Sequence, residues 1–281
     1  MSQYSPIGIF DSGVGGLSVL CEIRQLLPYE PLTFVADQAH VPYGLRSIEE
    51  VRGFANAITR YLLGKGAKLV VVACNAASAA ALHYLRQAYP ELPFVGMEPP
   101  VKPAAEQTQS RVVGVLATPA TFQGALYASV LERFAQGVTV LQHTCPGLVG
   151  QIEAGELDSP RTRGILENAL NPMLDAGIDT VVLGCTHYPF VIPMIQDITG
   201  PGVRVIDPAP AVARQVMRVL DAKNLRHPGP QTGDVHFFTS GDANRLQALL
   251  WSLIRENEIP EHLEWHGDLT SQEWRLRLIG T

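Results

Sequence analysis

Short apolar runs alternate along the chain with longer segments of helical periodicity, and this alternation limits the possible folds more than any other feature. Several runs are continuously apolar and β-branched, as in strands buried on both faces of a sheet. Strands that alternate with helices predict an α/β fold with mainly parallel sheets flanked by helices. The predicted strands are Ile7–Phe10, Leu32–Ala36, Leu69–Ala73, Phe94–Met97, Val112–Leu116, Val138–Gln142, Thr180–Leu183, Val203–Ile206 and Val235–Phe238. The predicted helices are Gly16–Leu27, Ile48–Gly64, Ala77–Ala88, Ala120–Ala135, Pro160–Ala176, Pro189–Ile198, Pro208–Leu220 and Asn244–Arg255.

The length of 281 residues and the number of strands indicate two domains. A domain commonly has about 150 residues, and these strands would make an unusually long single sheet. Proline clusters at 98–103 and 207–210 suit linkers, because proline ends helices and strands. We therefore expect a discontinuous first domain of residues 1–98 and 208–281, and a second domain of residues 99–207.

The composition excludes several classes of protein. Lysine and arginine number 21 and aspartate and glutamate 27, so the net charge is −6, which is unsuited to a dedicated nucleic-acid-binding protein. An anionic small-molecule substrate is compatible with this charge, because backbone amides at helix ends bind anions locally. The N-terminus lacks a basic region followed by an apolar run, and no apolar run approaches the ~20 residues that span a membrane. We expect a cytoplasmic protein that binds neither nucleic acid nor membrane.

Two of the four cysteines occupy matching positions. Cys74 and Cys185 each follow an apolar strand and precede a helix, one in each predicted domain. The remaining two are Cys21 and Cys145, and four cysteines without a C-x-x-C pair predict neither a disulfide scaffold nor a metal site. Ligands of open α/β sheets bind beyond the carboxyl ends of the strands, where a helix N-terminus lowers the pKa of a thiol from about 8.5.

A pair of thiols on opposite sides of a cleft suits inversion of a carbon centre. One thiolate takes the proton from one face while the other thiol delivers a proton to the opposite face, which is general acid–base catalysis. Each cysteine has a polar candidate helper. His187 follows Cys185 by two residues, and Asp11 comes at the carboxyl end of the first strand.

The glycine-rich segment 11–16 also follows a strand and begins a helix, which is a feature of dinucleotide-binding sites. Asp37 even falls near the ribose-binding position of that fingerprint. However, Ser18 stands where the third glycine belongs, and Asp11 would place a carboxylate beside the pyrophosphate. A backbone site for a substrate carboxylate, with Ser12 as an extra donor, fits the segment better. A nucleotide-dependent enzyme is kept as an alternative.

Taken together, these motifs resemble glutamate racemase, a family of the aspartate/glutamate racemase superfamily. The blocks Gly8-Ile9-Phe10-Asp11-Ser12-Gly13-Val14-Gly15-Gly16-Leu17 and Gly184-Cys185-Thr186-His187-Tyr188-Pro189 are the most specific. Asp37 with Val41-Pro42-Tyr43-Gly44, then Cys74-Asn75, lies between them. Further matches are Glu98-Pro99, Gly114-Val115-Leu116-Ala117-Thr118 with Thr121, and Val205-Ile206-Asp207. The resemblance runs in order from about residue 7 to residue 242.

The resemblance implies a racemase that interconverts L- and D-glutamate without a cofactor, supplying D-glutamate for peptidoglycan. It implies two similar α/β domains with the active site in the cleft between them, and a homodimer. The family's catalytic cysteines match Cys74, which deprotonates D-glutamate, and Cys185, which deprotonates L-glutamate. Asp11 assists the first and His187 the second. The substrate-binding positions match Ser12, Pro42, Tyr43, Gly44, Asn75, Ala76, Thr118, Thr121, Thr186 and Glu153.

The chain departs from the family pattern in two places. The family has Cys-Asn-Thr-Ala where this chain has Cys74-Asn75-Ala76-Ala77, so a hydroxyl that contacts substrate is missing at Ala76. One lost hydrogen bond typically costs ~0.5–1.5 kcal/mol, which predicts weaker glutamate binding, or a water in place of the hydroxyl, rather than lost chemistry. An altered substrate is a further alternative. The tail after His262 matches no part of the family pattern, and we expect it to be a surface-packed extension.

Two further alternatives remain at this stage. A racemase of another amino acid, such as aspartate, would share the scaffold, but aspartate racemases carry Glu where His187 stands. A non-catalytic binding relative would have no need of Cys74, Cys185, Asp11 and His187 together.

Overall fold

The computed structural model describes residues 2–267 and 274–278, in which strands and helices alternate. The strands are β1 (Ile7–Asp11), β2 (Leu32–Ala36), β3 (Leu69–Val72), β4 (Phe94–Gly96), β5 (Val112–Ala117), β6 (Thr139–His143), β7 (Thr180–Gly184), β8 (Arg204–Ile206), β9 (Val235–Thr239), β10 (Glu261–His266) and β11 (Arg275–Leu278). The α-helices are α1 (Leu17–Leu26), α2 (Ile48–Gly64), α3 (Asn75–Ala88), α4 (Val101–Gln107), α5 (Pro119–Gln123), α6 (Ala125–Phe134), α7 (Leu148–Glu153), α8 (Pro160–Asp175), α9 (Ile192–Thr199), α10 (Ala209–Ala222) and α11 (Ala243–Ile254). Short 3₁₀ turns cover Tyr43–Leu45 and Tyr188–Val191.

The described strands form two sheets. The larger has the order β11-β10-β9-β2-β1-β3-β4, and the smaller has the order β6-β5-β7-β8. The pairings are parallel, except that β11 runs antiparallel to β10. The central strands β1, β3 and β7 are buried along their whole length, which explains their uninterrupted apolar sequences. The α/β class predicted from the alternation is therefore confirmed.

The chain leaves the larger sheet after β4 and returns to it at β9, so β5–β8 form the smaller sheet without interruption. Helix α10 lies against α1 of the larger-sheet part of the molecule. The largest buried apolar cluster contains residues from both parts, among them Leu17, Phe34, Leu148 and Leu183. The two parts of the molecule thus share a hydrophobic core.

The predicted elements agree with the structure except in a few regions. Each of the nine predicted strands is present, with bounds that differ by at most one residue. The predicted helix 120–135 is two helices, α5 and α6, separated at Gly124, and α4 and α7 were not predicted. The proline clusters lie at the starts of two helices, since α4 starts at Val101 and α10 at Ala209. Proline is tolerated in the first turn of a helix, where an N–H has no partner.

The expectation of a surface-packed tail is wrong for the part of the tail that the structure describes. Strand β10 pairs with β9 through Glu261 and His262, and β11 pairs with β10, so the tail extends the larger sheet by a hairpin. Leu263 and Leu276 are buried there. Residues 268–273 and 279–281 lie outside the described residues. Within the described ranges, none of the helices combines the length and apolar character that crossing a membrane requires.

Candidate active site

A small cleft lies where the carboxyl ends of β1 and β3 face those of β5 and β7. It encloses about 270 Å³, including the space that opens to solvent. Both matching cysteines line it. The lining residues are Ser12, Pro42, Tyr43, Gly44, Cys74, Asn75, Ala76, Thr118, Val149, Cys185, Thr186 and His187. The structure therefore brings together residues from six separate stretches of the sequence.

Cys74 stands between the end of β3 and the start of α3. Its Sγ accepts the N–H of Ala77 at 3.4 Å, so the thiol caps the helix, and Ser12 Oγ lies 3.9 Å away. Burial and the negative charge of Asp11 raise the pKa of Cys74 well above its ordinary value, although the Ala77 N–H acts in the opposite direction. The sequence-based expectation that a helix N-terminus lowers this pKa is wrong for Cys74, because desolvation dominates. Cys74 is accordingly held as a neutral thiol.

Asp11 is the last residue of β1 and is fully buried beside the glycine-rich segment. Its Oδ2 accepts backbone N–H groups from Gly16 at 2.9 Å and Gly13 at 3.3 Å, and Thr186 Oγ1 lies 3.5 Å from its Oδ1. Burial raises the pKa of Asp11, while the positive charge of His187 and the contact with Cys74 act to lower it. Asp11 is absent from the described lining of the cleft, so it acts on the cleft through its neighbours.

Cys185 follows β7 and has an imidazole as its neighbour. Its Sγ lies 3.8 Å from Nδ1 of His187, whose Nε2 lies 2.7 Å from Oε1 of Glu153. Burial alone would lower the pKa of His187, but the contacts with Cys185 and Glu153 together outweigh it and hold the pKa well above its ordinary value. His187 is therefore held as an imidazolium, and its positive charge lies beside the sulfur of Cys185.

Glu153 lies at the end of α7 and contacts His187 rather than lining the cleft. Its carboxylate also accepts the backbone N–H of Val14 at 2.7 Å and the side-chain amide of Gln38 at 3.0 Å. Burial acts to raise the pKa of Glu153, but the contacts with His187, Gln38 and Val14 prevail and lower it. Both partners of the buried pair are thus charged, and the carboxylate joins the smaller-sheet part of the molecule to the larger-sheet part.

The glycine-rich segment makes room for this pair. A Cβ at Gly13 would overlap the Glu153 carboxylate, and a Cβ at Gly15 would overlap the His187 ring and the Thr186 hydroxyl. The glycines are required because three side chains from the smaller-sheet part of the molecule approach the backbone closely. This packing gives the segment a role that needs no dinucleotide.

The remaining predicted residues differ in their relation to the cleft. Asn75 lines it, and both atoms of its side-chain amide are buried without a hydrogen-bond partner among the described residues, so a donor and an acceptor are available there. Thr121 does not line it, because its hydroxyl contacts Thr118 Oγ1 at 3.1 Å and the carbonyl of Gly184 at 3.5 Å. Thr118 itself lines the cleft.

One residue of the lining was not predicted. Val149 projects from the first turn of α7, one turn before Glu153. Val149 stands four residues before Glu153, and residues four apart lie on one face of a helix. This spacing could have placed Val149 on the same side of α7 as Glu153. It was missed because the short α7 was not recognised.

The lining of the cleft carries thiol, hydroxyl, amide and imidazole side chains. All four cysteines are free thiols. Among residues 2–267 and 274–278, no three histidine, cysteine, aspartate or glutamate side chains are grouped as a metal site would need. The described lining holds neither lysine nor arginine, so its donors to a carboxylate are neutral, apart from the imidazolium of His187.

Comparison with known proteins decides the family. The family model described as Asp/Glu/Hydantoin racemase matches residues 16–216. The chain belongs to the Asp/Glu/hydantoin racemase family. Within this family, a protein named glutamate racemase from Roseiflexus sp. (strain RS-1) is 53% identical over 249 residues, which cover 88% of this chain and 92% of that protein.

Solved racemase structures share the fold. The structure of a glutamate racemase isoform from Bacillus anthracis has a TM-score of 0.82 at 31% identity and covers 95% of this chain and 98% of its own. That of the Escherichia coli glutamate racemase, in complex with L-glutamate and the activator UDP-MurNAc-Ala, has a TM-score of 0.79 at 31% identity, with coverage of 98% and 100%. The resemblance to glutamate racemase that the sequence motifs indicate is confirmed.

Proposed function

We propose that this protein interconverts L- and D-glutamate without a cofactor, with Cys74 and Cys185 as the two proton-transferring groups. The observation that carries the proposal is that two buried cysteines, each at the carboxyl end of a strand in a different sheet, line one cleft. The other residues that line the cleft supply hydrogen-bond donors and acceptors around the reacting carbon. The glutamate racemases at about half sequence identity support glutamate as the substrate.

In the L-to-D direction, Cys185 acts as the base. The imidazolium of His187, fixed by Glu153, stabilises the thiolate at 3.8 Å, and this thiolate takes the α-proton of L-glutamate. Cys74, which burial and Asp11 hold as a neutral thiol, donates a proton to the opposite face of the same carbon. The two thiols exchange roles in the D-to-L direction. Cys74 is then the base, and Asp11 assists it.

Neutral groups bind the substrate. Ser12, Asn75 and Thr186 line the cleft and offer hydroxyl and amide donors to the two carboxylates of glutamate. Pro42, Tyr43, Gly44, Ala76 and Thr118 shape the cavity around the substrate carbon chain. Glu153 and Thr121, which resemble substrate-binding positions of the family, support His187 and Thr118 instead.

The assignment extends to the setting in which the enzyme works. We propose that it is a cytoplasmic homodimer with domains of residues 1–98 plus 208–281 and 99–207. The D-glutamate it makes would supply peptidoglycan synthesis. The two sheets and the single crossing of the chain in each direction support this division into domains.

An assay of the purified protein tests the proposal. L-glutamate and D-glutamate are each incubated with dialysed enzyme, without added cofactor, and optical activity is followed by circular dichroism. We expect both signals to decay to zero, because the two enantiomers are equal in free energy. Signals that stay constant would contradict the racemase assignment. Faster decay with L-aspartate than with glutamate would show that aspartate is the preferred substrate. Decay only after NAD is added would favour the nucleotide-dependent alternative.

A further inference from the structure

A buried carboxylate beside the cleft collects hydrogen bonds from three parts of the chain. Asp37 follows β2 and is fully buried. Its Oδ2 accepts the hydroxyl of Tyr43 at 2.5 Å, and its Oδ1 accepts the hydroxyl of Ser240 at 2.6 Å and the indole N–H of Trp265 at 2.8 Å. The ring of His40 lies 3.0 Å from the same carboxylate. A buried carboxylate with this many donors is fixed in position.

One of these donors comes from the C-terminal hairpin. Trp265 lies in β10 opposite Leu276 of β11, in the tail that matches no part of the family pattern. Its ring packs edge-on against Phe54 and His40, with ring centroids 5.5 and 5.0 Å apart. The hairpin is anchored in turn by the pairing of β10 with β9. The indole N–H is thus presented to Asp37 from a rigid element.

The carboxylate connects this hairpin to the substrate cleft. Tyr43 is buried and lines the cleft together with Pro42 and Gly44. Two contacts hold the Tyr43 ring, namely its hydroxyl on Asp37 and its stacking on Phe54 at 5.6 Å. Trp265 contacts both Asp37 and Phe54, so a shift of the Trp265 ring would displace both of the groups that hold Tyr43.

We propose that Trp265 is a positioning residue for substrate binding, which holds the segment 42–44 in its binding conformation through Asp37. The C-terminal hairpin is then a support for the site and not an appendage. This inference rests on the proposed function, because it assigns the segment 42–44 to the glutamate-binding surface. When the segment 42–44 is already ordered, it loses less conformational entropy as the substrate binds. Loosening this segment should therefore weaken substrate binding more than it slows proton transfer.

The test replaces only the donor. Trp265→Phe keeps an aromatic ring and removes the indole N–H. We expect the KM for both enantiomers to rise by about three- to tenfold, as the loss of one such hydrogen bond implies, while kcat changes by less than about twofold. We also expect backbone amides of residues 41–46 to exchange with deuterium faster, whereas those of β5 keep their rate.

Trp274→Phe is the matched control. Trp274 belongs to the same aromatic group, 5.6 Å from Trp265 and 5.2 Å from Phe54, but the structure gives it no hydrogen bond to Asp37. It should leave KM and the exchange of residues 41–46 unchanged. Equal effects of the two variants would overturn the proposal in favour of simple aromatic packing.

Two further measurements distinguish a failure of the positioning role from a failure of the proposed function. In the double variant Trp265→Phe with Asp37→Asn, the KM should be no higher than in Asp37→Asn alone. Both substitutions disturb the same series of contacts from Trp265 through Asp37 to Tyr43, so their effects should not add. Ser240→Ala removes the other donor to the same oxygen without touching the aromatic group, and should raise KM in the same direction. Active wild-type enzyme with unchanged Trp265→Phe and Ser240→Ala variants would overturn this inference alone. Inactive wild-type enzyme would contradict the proposed function, and the exchange of residues 41–46 would still decide the positioning role.

Discussion

The two cysteines occupy equivalent places in the fold but have opposite electrostatic surroundings. Cys185 lies beside the imidazolium of His187, whose charge is balanced by Glu153. Among the described residues, Cys74 has no cation beside it, and burial together with the carboxyl group of Asp11 raises its pKa. The substrate and the product are enantiomers of equal free energy, yet the two thiols differ in the charges that surround them. Cys185 has a cation beside its sulfur, whereas Cys74 is held as a neutral thiol.

Replacing each cysteine in turn gives the largest expected effect. Cys74→Ser and Cys185→Ser should each slow racemisation by about 10²- to 10⁴-fold, because each removes one of the two proton carriers. Exchange of the α-hydrogen with deuterium oxide should separate them. Cys185→Ser should lose exchange mainly from L-glutamate, and Cys74→Ser mainly from D-glutamate, as measured by NMR or mass spectrometry.

Cys21→Ser is the control for this pair, since Cys21 lies on α1 and not in the lining of the cleft. It should retain wild-type rates in both directions. Equal loss of exchange from both enantiomers in each active-site variant would refute the division of roles between Cys74 and Cys185.

The polar neighbours should show the same asymmetry with smaller effects. His187→Asn removes the cation beside Cys185, and Asp11→Asn removes the carboxyl group beside Cys74. We expect losses of about 10- to 100-fold, typical of a hydrogen bond to a charged group. Initial rates of α-hydrogen exchange should fall more for L-glutamate in His187→Asn and more for D-glutamate in Asp11→Asn. Reversal of this preference would show that the neighbours do not act on the nearer thiol.

The buried pair of Glu153 and His187 makes the stability of the fold depend on pH. The pKa of Glu153 is lowered from 4.5, so its contribution is present above pH 4.5 and is lost as the pH falls through the lowered value. The pKa of His187 is raised from 6.5, so its contribution is full below pH 6.5 and is lost as the pH rises through the raised value. The pair therefore stabilises the fold most between pH 4.5 and 6.5.

Glu153→Gln tests this dependence. The variant should unfold about 3–10 °C below wild type in that pH window, and the difference should shrink as the pH rises. Differential scanning fluorimetry across pH measures both. The exposed Glu132 offers the control, Glu132→Gln, which should match wild type at each pH. A constant difference between Glu153→Gln and wild type at all pH values would mean that the two groups are not an ion pair.

Ala76 gives the smallest expected effect. It lines the cleft next to Cys74 and stands where the family pattern has threonine. Ala76→Thr adds a hydroxyl that can contact the substrate, and should lower the KM for glutamate by about two- to tenfold with little change in kcat. Steady-state kinetics with both enantiomers check this. A raised KM would show that the cleft has no room for the extra atoms at this position.

The sequence predicted the parts of the fold that local patterns encode. Continuous apolar runs such as Leu69–Val72 identified the strands, and the matching strand–cysteine–helix segments placed Cys74 and Cys185 at the ends of β3 and β7. The hairpin of β10 and β11 was missed, because Glu261–His266 mixes polar and apolar residues and is not continuously apolar. Its membership depends on pairing with β9, which lies more than 20 residues earlier.

The parts of the site that depend on long-range packing were not predictable. The sequence placed Glu153 among the substrate-binding residues, but its contact with Val14, 139 residues away, arises only when the two sheets meet. The pKa of Cys74 illustrates the same limit. The helix N-terminus is a local feature that lowers the pKa, whereas the burial that outweighs it comes from the whole cleft.

Racemisation of L-glutamate in deuterium oxide, stopped in the first few per cent of conversion, tests the two-thiol account most directly. The hydrogen at Cα is then measured separately in the D-glutamate formed and in the L-glutamate recovered. The account predicts deuterium in the product and protium in the recovered substrate, because Cys185 removes the proton and Cys74 delivers one from solvent. Product that retains the original protium would mean that a single base carries the proton across, and would contradict the assignment of two thiols.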